Sequence, residues 1–201
     1  MKIAEVQDRT PELLSRLLEI WEASVRATHL FLSEEEIGSI REYVPQALEE
    51  IAHLIAAEEE TGCPAAFMGI EDGSLEMLFI APEERGKGLG KRLIRYGLEH
   101  YDVTRLAVNE QNLQARGFYE HMGFRVYKRA DSIVAPTRKT DGSGRGFYAR
   151  PTWPRFKRWL SLIIFFFLCL KFSGAGMTRK NHACPCLELS ISRQPPWGWS
   201  I

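Results

Sequence analysis

From Leu75 to Ala81 the chain is a short apolar run, and it passes almost at once into Arg85-Gly86-Lys87-Gly88-Leu89-Gly90. Leu93, Ile94, Gly97 and Leu98 then fall on one side of a helix. A strand that turns through glycines into a helix constrains the fold strongly, because the strand must lie in a sheet and the helix must pack back across it. It also gathers unpaired backbone N–H groups and the positive end of a helix at one point. That is an anion site, most naturally for a phosphate or pyrophosphate, and glycines at 86, 88 and 90 keep a Cβ from holding the ligand off the backbone. Taken alone, the segment also reads as a tight turn with no ligand.

The flanking patterns fill in a mixed sheet. Residues 2 to 7 alternate like a strand, and Thr10-Pro11-Glu12 supplies an N-cap, a first-turn proline and a first-turn acid. Leu13, Leu14, Leu17, Leu18, Trp21 and Val25 recur at helical steps and place Trp21 in a core. Ser33 and Glu36 have the spacing of a capping box for a second helix, which Pro45 must end, kink or restart. Short runs near 53–59, 65–70 and 74–81, separated by Thr61-Gly62 and Glu71-Asp72-Gly73, predict antiparallel hairpins with His53 as a sheet residue. Beyond the glycine loop and its helix, the pattern predicts a strand at 105–108, a helix at 112–122 and a strand at 124–129. The expected class is α/β, in the order βααβββαβαβ.

Two familiar phosphate loops are excluded by spacing. A Walker loop needs Ser or Thr after its Gly-Lys, but Gly90-Lys91 is followed by Arg92. A dinucleotide fingerprint needs a sixth-position glycine, and counting from Gly86 that position is Lys91. The loop does resemble the Q/R-x-x-G-x-G/A signature of the GNAT acyltransferase superfamily. Val108-Asn109-Glu110-Gln111-Asn112, then Ala115 to Phe118-Tyr119, then Gly123-Phe124, is similar to that family's second motif. The likeness covers residues 2 to about 130 and implies a GNAT-like mixed sheet flanked by helices.

It further implies acetyl-coenzyme A as co-substrate, a primary amine of a small molecule or protein as acceptor, and direct attack in a ternary complex. The pyrophosphate would lie on Arg85, Gly86, Lys87, Gly88, Leu89, Gly90 and Lys91, and the thioester oxygen would meet a strand N–H among Leu78, Phe79 and Ile80. Asn109, Asn112, Ala115 and Tyr119 complete the implied coenzyme site; from Asn112, Ala115 and Tyr119 lie on one helical stripe. Tyr119 occupies the family's general-acid position, and a phenol suits it because it stays protonated until the thiolate forms. Glu76 is the first candidate base, with an exposed strand residue as the alternative reading. His29 is a second base or, with Phe31, an acceptor contact, and a lone histidine beside Phe31 also reads as structural.

The pattern stops near Asp131. Residues 1–130 hold 15 basic and 23 acidic side chains, whereas residues 131–201 hold 11 and 3, so the chain's zero net charge is a cancellation. The expected division is therefore a GNAT-like domain at 1–131 and a basic tail at 132–201, rich in Trp and Pro and disordered or out of frame. The family's last strand, which inserts between the two strands before it, is missing or replaced on this reading. Trp159 to Leu170 is too short an apolar run to span a bilayer, and His182, Cys184 and Cys186 lack a partner cluster, so no metal is expected. Unpatterned cysteines and an N-terminus without an apolar core point to the cytoplasm. No nucleic-acid or membrane partner is expected, and a homodimer remains open. The rival readings are a coenzyme-binding but inactive module and a protein that associates with membranes through its tail.

Overall fold

A computed structural model describes residues 1–130, 138–140, 146–148 and 186–191. In chain order it contains β1 (Lys2–Glu5), α1 (Pro11–Thr28), α2 (Glu34–Arg41), α3 (Val44–Glu50), β2 (His53–Glu58), β3 (Pro64–Glu71), β4 (Ser74–Ile80), a 3₁₀ turn (Pro82–Glu84), α4 (Leu89–His100), β5 (Arg105–Asn109), α5 (Leu113–His121), β6 (Arg125–Ala130), β7 (Arg138–Thr140), β8 (Gly146–Tyr148) and β9 (Cys186–Ser190). The helix starts follow their local chemistry. Thr10 caps α1 by accepting from the Leu13 N–H, and Ser33 with Glu36 closes a reciprocal capping box at α2. Pro45 restarts the chain as α3, in the first turn, where its missing N–H has no helical partner to lose.

Seven strands form one sheet in the order β1-β2-β3-β4-β5-β9-β6, and β7 pairs with β8 as a separate antiparallel ladder. The first four strands are antiparallel neighbours, as the hairpin spacing predicts. Alternation along β2 and β3 divides the core between the two faces. Leu54 and Phe67 join Leu17, Trp21, Ile40 and Leu48 beneath α1, α2 and α3, whereas Ile55, Met68 and Ile70 join Leu93, Ile94 and Val103 beneath α4. Trp21 is fully buried, and His53 opens β2 opposite Ile70.

Of the two readings of the family's last strand, missing or replaced, the structure bears out the second: its place between β5 and β6 is taken by β9, drawn from the segment assigned to the tail. It runs antiparallel to both neighbours, pairing Leu106 with Leu189 on one side and Val126 with Leu189 on the other. Its alternation explains the fit: Leu187 and Leu189 are buried in the core, while Glu188 accepts from the Tyr127 hydroxyl at 2.7 Å and meets the Lys128 ammonium at 3.2 Å. The Trp159–Leu170 run, His182 and Cys184 lie outside the described residues.

Candidate active site

β4 and β5 are parallel neighbours for only two residue pairs, Ser74 with Arg105 and Leu75 with Leu106, and then separate. The parting leaves one side of β4 without a ladder. Ala81 N–H donates to the Ala65 carbonyl at 2.9 Å on the β3 side. Strand alternation sends the Phe79 N–H the same way, so the Leu78 and Ile80 N–H groups face the opening. The slot continues into a cleft of about 340 Å³ lined by Leu78, Phe79 and Ile80, by Arg85, Gly86, Gly88, Leu89, Gly90 and Lys91, by Asn112, Ala115, Phe118 and Tyr119, and by Ser24, Thr28, His29 and Glu84.

The glycine loop is built for close approach. Gly86 and Gly88 have φ of 78° and 82°, in the left-handed region that favours glycine, and a Cβ on either would meet no protein atom within 4 Å. The space over them is therefore open to a ligand. Gly90 has a different reason to be glycine: a Cβ there would lie 3.1 Å from Ile80 Cδ1 and 3.2 Å from Phe118 Cζ, so α4 could not start so close to β4 and α5. Gly88 caps α4 without a side-chain hydrogen bond, leaving the N–H groups of the first turn for a bound anion.

Across the cleft, Asn112 caps α5 by accepting from the Ala115 N–H at 3.1 Å and is itself buried. Tyr119 packs edge-on to Phe124 with ring centroids 6.1 Å apart, and burial pushes its phenol pKa up. On the α1 side, the Thr28 hydroxyl donates to the Ser24 carbonyl at 2.7 Å and lies 2.8 Å from His29 Nδ1. Burial pushes the imidazole down to about 4 against a smaller opposing effect of the Val25 carbonyl, so His29 is neutral at ordinary pH.

Four residues singled out from the sequence do not line the cleft. Glu76 follows directly on the paired base of the slot, on the same strand face as Leu78 and Ile80. Lys87 turns to Glu84, with the ions 2.7 Å apart. Asn109 uses its amide oxygen to accept from the Gln111 N–H at 2.9 Å, which shapes the turn before α5. Phe31 packs edge-on to His29 at 5.5 Å. Conversely, Ser24, Thr28, Glu84 and Phe118 line the cleft without having been assigned to it. Ser24 and Thr28 did carry a signal: they interrupt, with hydroxyls, the stripe that Trp21 and Val25 otherwise make apolar.

Among the described residues, no group of three or more His, Cys, Asp or Glu is placed to hold a metal ion, and no helix is long and apolar enough to cross a membrane. The family described as acetyltransferase (GNAT) domain matches residues 24–132. Peptidyl-lysine N-acetyltransferase YjaB of Salmonella typhimurium is 39% identical over 116 residues, covering 58% of this chain and 79% of that protein. The solution structure of apo-form YjaB from Escherichia coli is similar with a TM-score of 0.64 at 27% identity, covering 95% of this chain and 98% of that one. A PaiA N-acetyltransferase from Thermoplasma acidophilum, solved in complex with coenzyme A, is similar with a TM-score of 0.52 at 25% identity, over 67% and 94% of the two chains.

Proposed function

The chain belongs to the GNAT family of acetyltransferases, and on that premise we propose that it carries the acetyl group of acetyl-coenzyme A to the side-chain amine of a protein lysine. One observation carries the reading: a single cleft joins the glycine loop, the unladdered stretch of β4 and Tyr119. The coenzyme complex of the Thermoplasma relative supports the donor, and the peptidyl-lysine activity named for YjaB supports the acceptor.

Each step then has a residue. The pyrophosphate lies on the backbone N–H groups of the loop from Gly86 to Lys91 and on the first turn of α4, beside the Arg85 side chain. The pantetheine enters the slot between β4 and β5, where the thioester oxygen accepts from the Leu78 or Ile80 N–H as its charge grows. The amine attacks the thioester carbon, forming the C–N bond. The tetrahedral intermediate then expels the coenzyme sulfur, and Tyr119 supplies the proton to the departing thiolate. His29 takes the proton from nitrogen through Nε2; its place on the cleft wall supports it over Glu76, which is not part of that wall. A neutral His29 also places no positive charge opposite a cationic acceptor.

The inactive-module alternative rested on an absent strand, and the presence of β9 in the sheet favours an active protein. The test is coenzyme thiol release from acetyl-CoA with lysine-containing peptides, polyamines and aminoglycosides as rival acceptors. Turnover with peptides, with one acetyl group found on lysine by mass spectrometry, is the expected result. Coenzyme binding without turnover on any acceptor would sink the proposal.

A further inference from the structure

Ser24, Thr28 and His29 form a short hydrogen-bonded chain at the end of α1, and all three line the cleft. Thr28 Oγ1 stands 2.7 Å from the Ser24 carbonyl oxygen and 2.8 Å from His29 Nδ1. A hydroxyl has one proton, and a carbonyl oxygen can only accept. Two oxygens at 2.7 Å need that proton between them. The Thr28 proton therefore goes to Ser24, and the remaining contact is made by a proton on His29 Nδ1, which Thr28 Oγ1 accepts. A neutral imidazole has one N–H; the Val25 carbonyl is a second acceptor beside the ring, and with the proton on Nδ1 the lone pair falls on Nε2.

We propose that Thr28 is a positioning residue for acetyl transfer: anchored on Ser24, its hydroxyl holds His29 as the Nδ1–H tautomer and keeps Nε2 as the atom that accepts the acceptor's proton. The inference rests on the reading of His29 as the base. Several features make the arrangement more than a helix-end contact. Ser24 is buried, with 6% of its surface exposed, so the anchor is shielded from competing water. Phe31 also packs edge-on against the ring, with centroids 5.5 Å apart. With one edge bonded and one side packed, the imidazole has little freedom to flip, and a flip would put a protonated nitrogen where the reaction needs a lone pair.

The experiment uses the full chain with histidines labelled in the ring nitrogens. Long-range ¹H–¹⁵N correlation reads the tautomer directly, and the His29→Gln variant assigns the His29 signals among the five histidines. In wild type the expected spectrum shows a protonated Nδ1 and a bare Nε2. Thr28→Val, which keeps the shape and loses the hydroxyl, is expected to shift the ring toward the Nε2–H form. It should also lower kcat on the order of tenfold, a part of what a positioned base contributes, with acetyl-CoA affinity unchanged. Thr28→Ser should restore both. A wild-type spectrum with Nε2 protonated overturns the proposal, as does Thr28→Val with an unaltered tautomer or rate. If wild type shows the expected tautomer but transfers no acetyl group to any acceptor, the fault lies with the proposed function, and the role of Thr28 in it falls too.

Discussion

His29 has a thermodynamic signature separate from any rate. Its imidazole is lowered from 6.5 to about 4 because burial disfavours the charged form. Between those values the unfolded chain binds the proton and the folded chain does not, so stability rises with pH through that window and is lost as pH falls through it. The loss is on the order of 3 kcal/mol by pH 4. Urea unfolding of wild type and His29→Gln from neutral pH to about pH 4 isolates the effect as the difference in slope, and equal slopes would remove His29 from the buried set. Tyr119 makes a complementary prediction about rate. Burial keeps its phenol protonated, so in the proposed reaction it would donate only to a strongly developing negative charge such as the departing thiolate. Tyr119→Phe is expected to lower kcat by roughly a hundredfold while acetyl-CoA affinity stays within about twofold. Calorimetric titration beside steady-state kinetics separates the two, and a matched fall in both would make Tyr119 a binding residue instead.

At the scale of elements, β9 is where local and tertiary information part. The glycine loop, the capping box at Ser33 and the stripe from Leu13 to Val25 each reside in a few consecutive residues, and all were legible because capping, φ and helical period are local properties. Cys186-Leu187-Glu188-Leu189-Ser190 alternates as well, but residues 131–185 separate it from β6, and a short stretch of alternation does not name its partners. The same holds within the site. Lys87 and Asn109 match the family pattern by type, yet the Lys87 ammonium is paired with Glu84 and the Asn109 amide oxygen is bonded to Gln111, contacts that depend on backbone geometry and not on spacing. The importance of β9 can be measured. Leu189 is fully buried between its neighbours, so Leu189→Ala should destabilise the protein by about 2–5 kcal/mol. Val126→Ala, on β6 and 39% exposed, should cost less than about 1 kcal/mol. Chemical denaturation of the two variants compares them, and a small loss for Leu189 would mean that this strand is dispensable.

For the whole molecule, the proposed coenzyme slot and the last-placed strand are linked through β5. The slot exists because β4 leaves β5 after Leu75, while all five residues of β5 stay paired to β9 on the other side. If β9 were absent, β5 and β6 would face each other with unpaired N–H and C=O groups, and nothing would hold β5 away from β4. On the proposed function acetyl-CoA binds only the folded form, so at a hundred times its Kd it should add about 2.7 kcal/mol and raise Tm by a few degrees. A chain ending at residue 130 retains the glycine loop, Asn112 and Tyr119 but lacks β9. It is expected to show no coenzyme-dependent rise in Tm and to aggregate on heating, whereas the full chain shows the rise and Leu189→Ala shows a rise of similar size from a lower starting Tm. Thermal melts with and without acetyl-CoA on the three proteins decide the matter. A shortened chain that binds coenzyme as tightly as the full one would mean that β5 and β6 close on each other, and that the basic segment after Asp131 contributes nothing to the site.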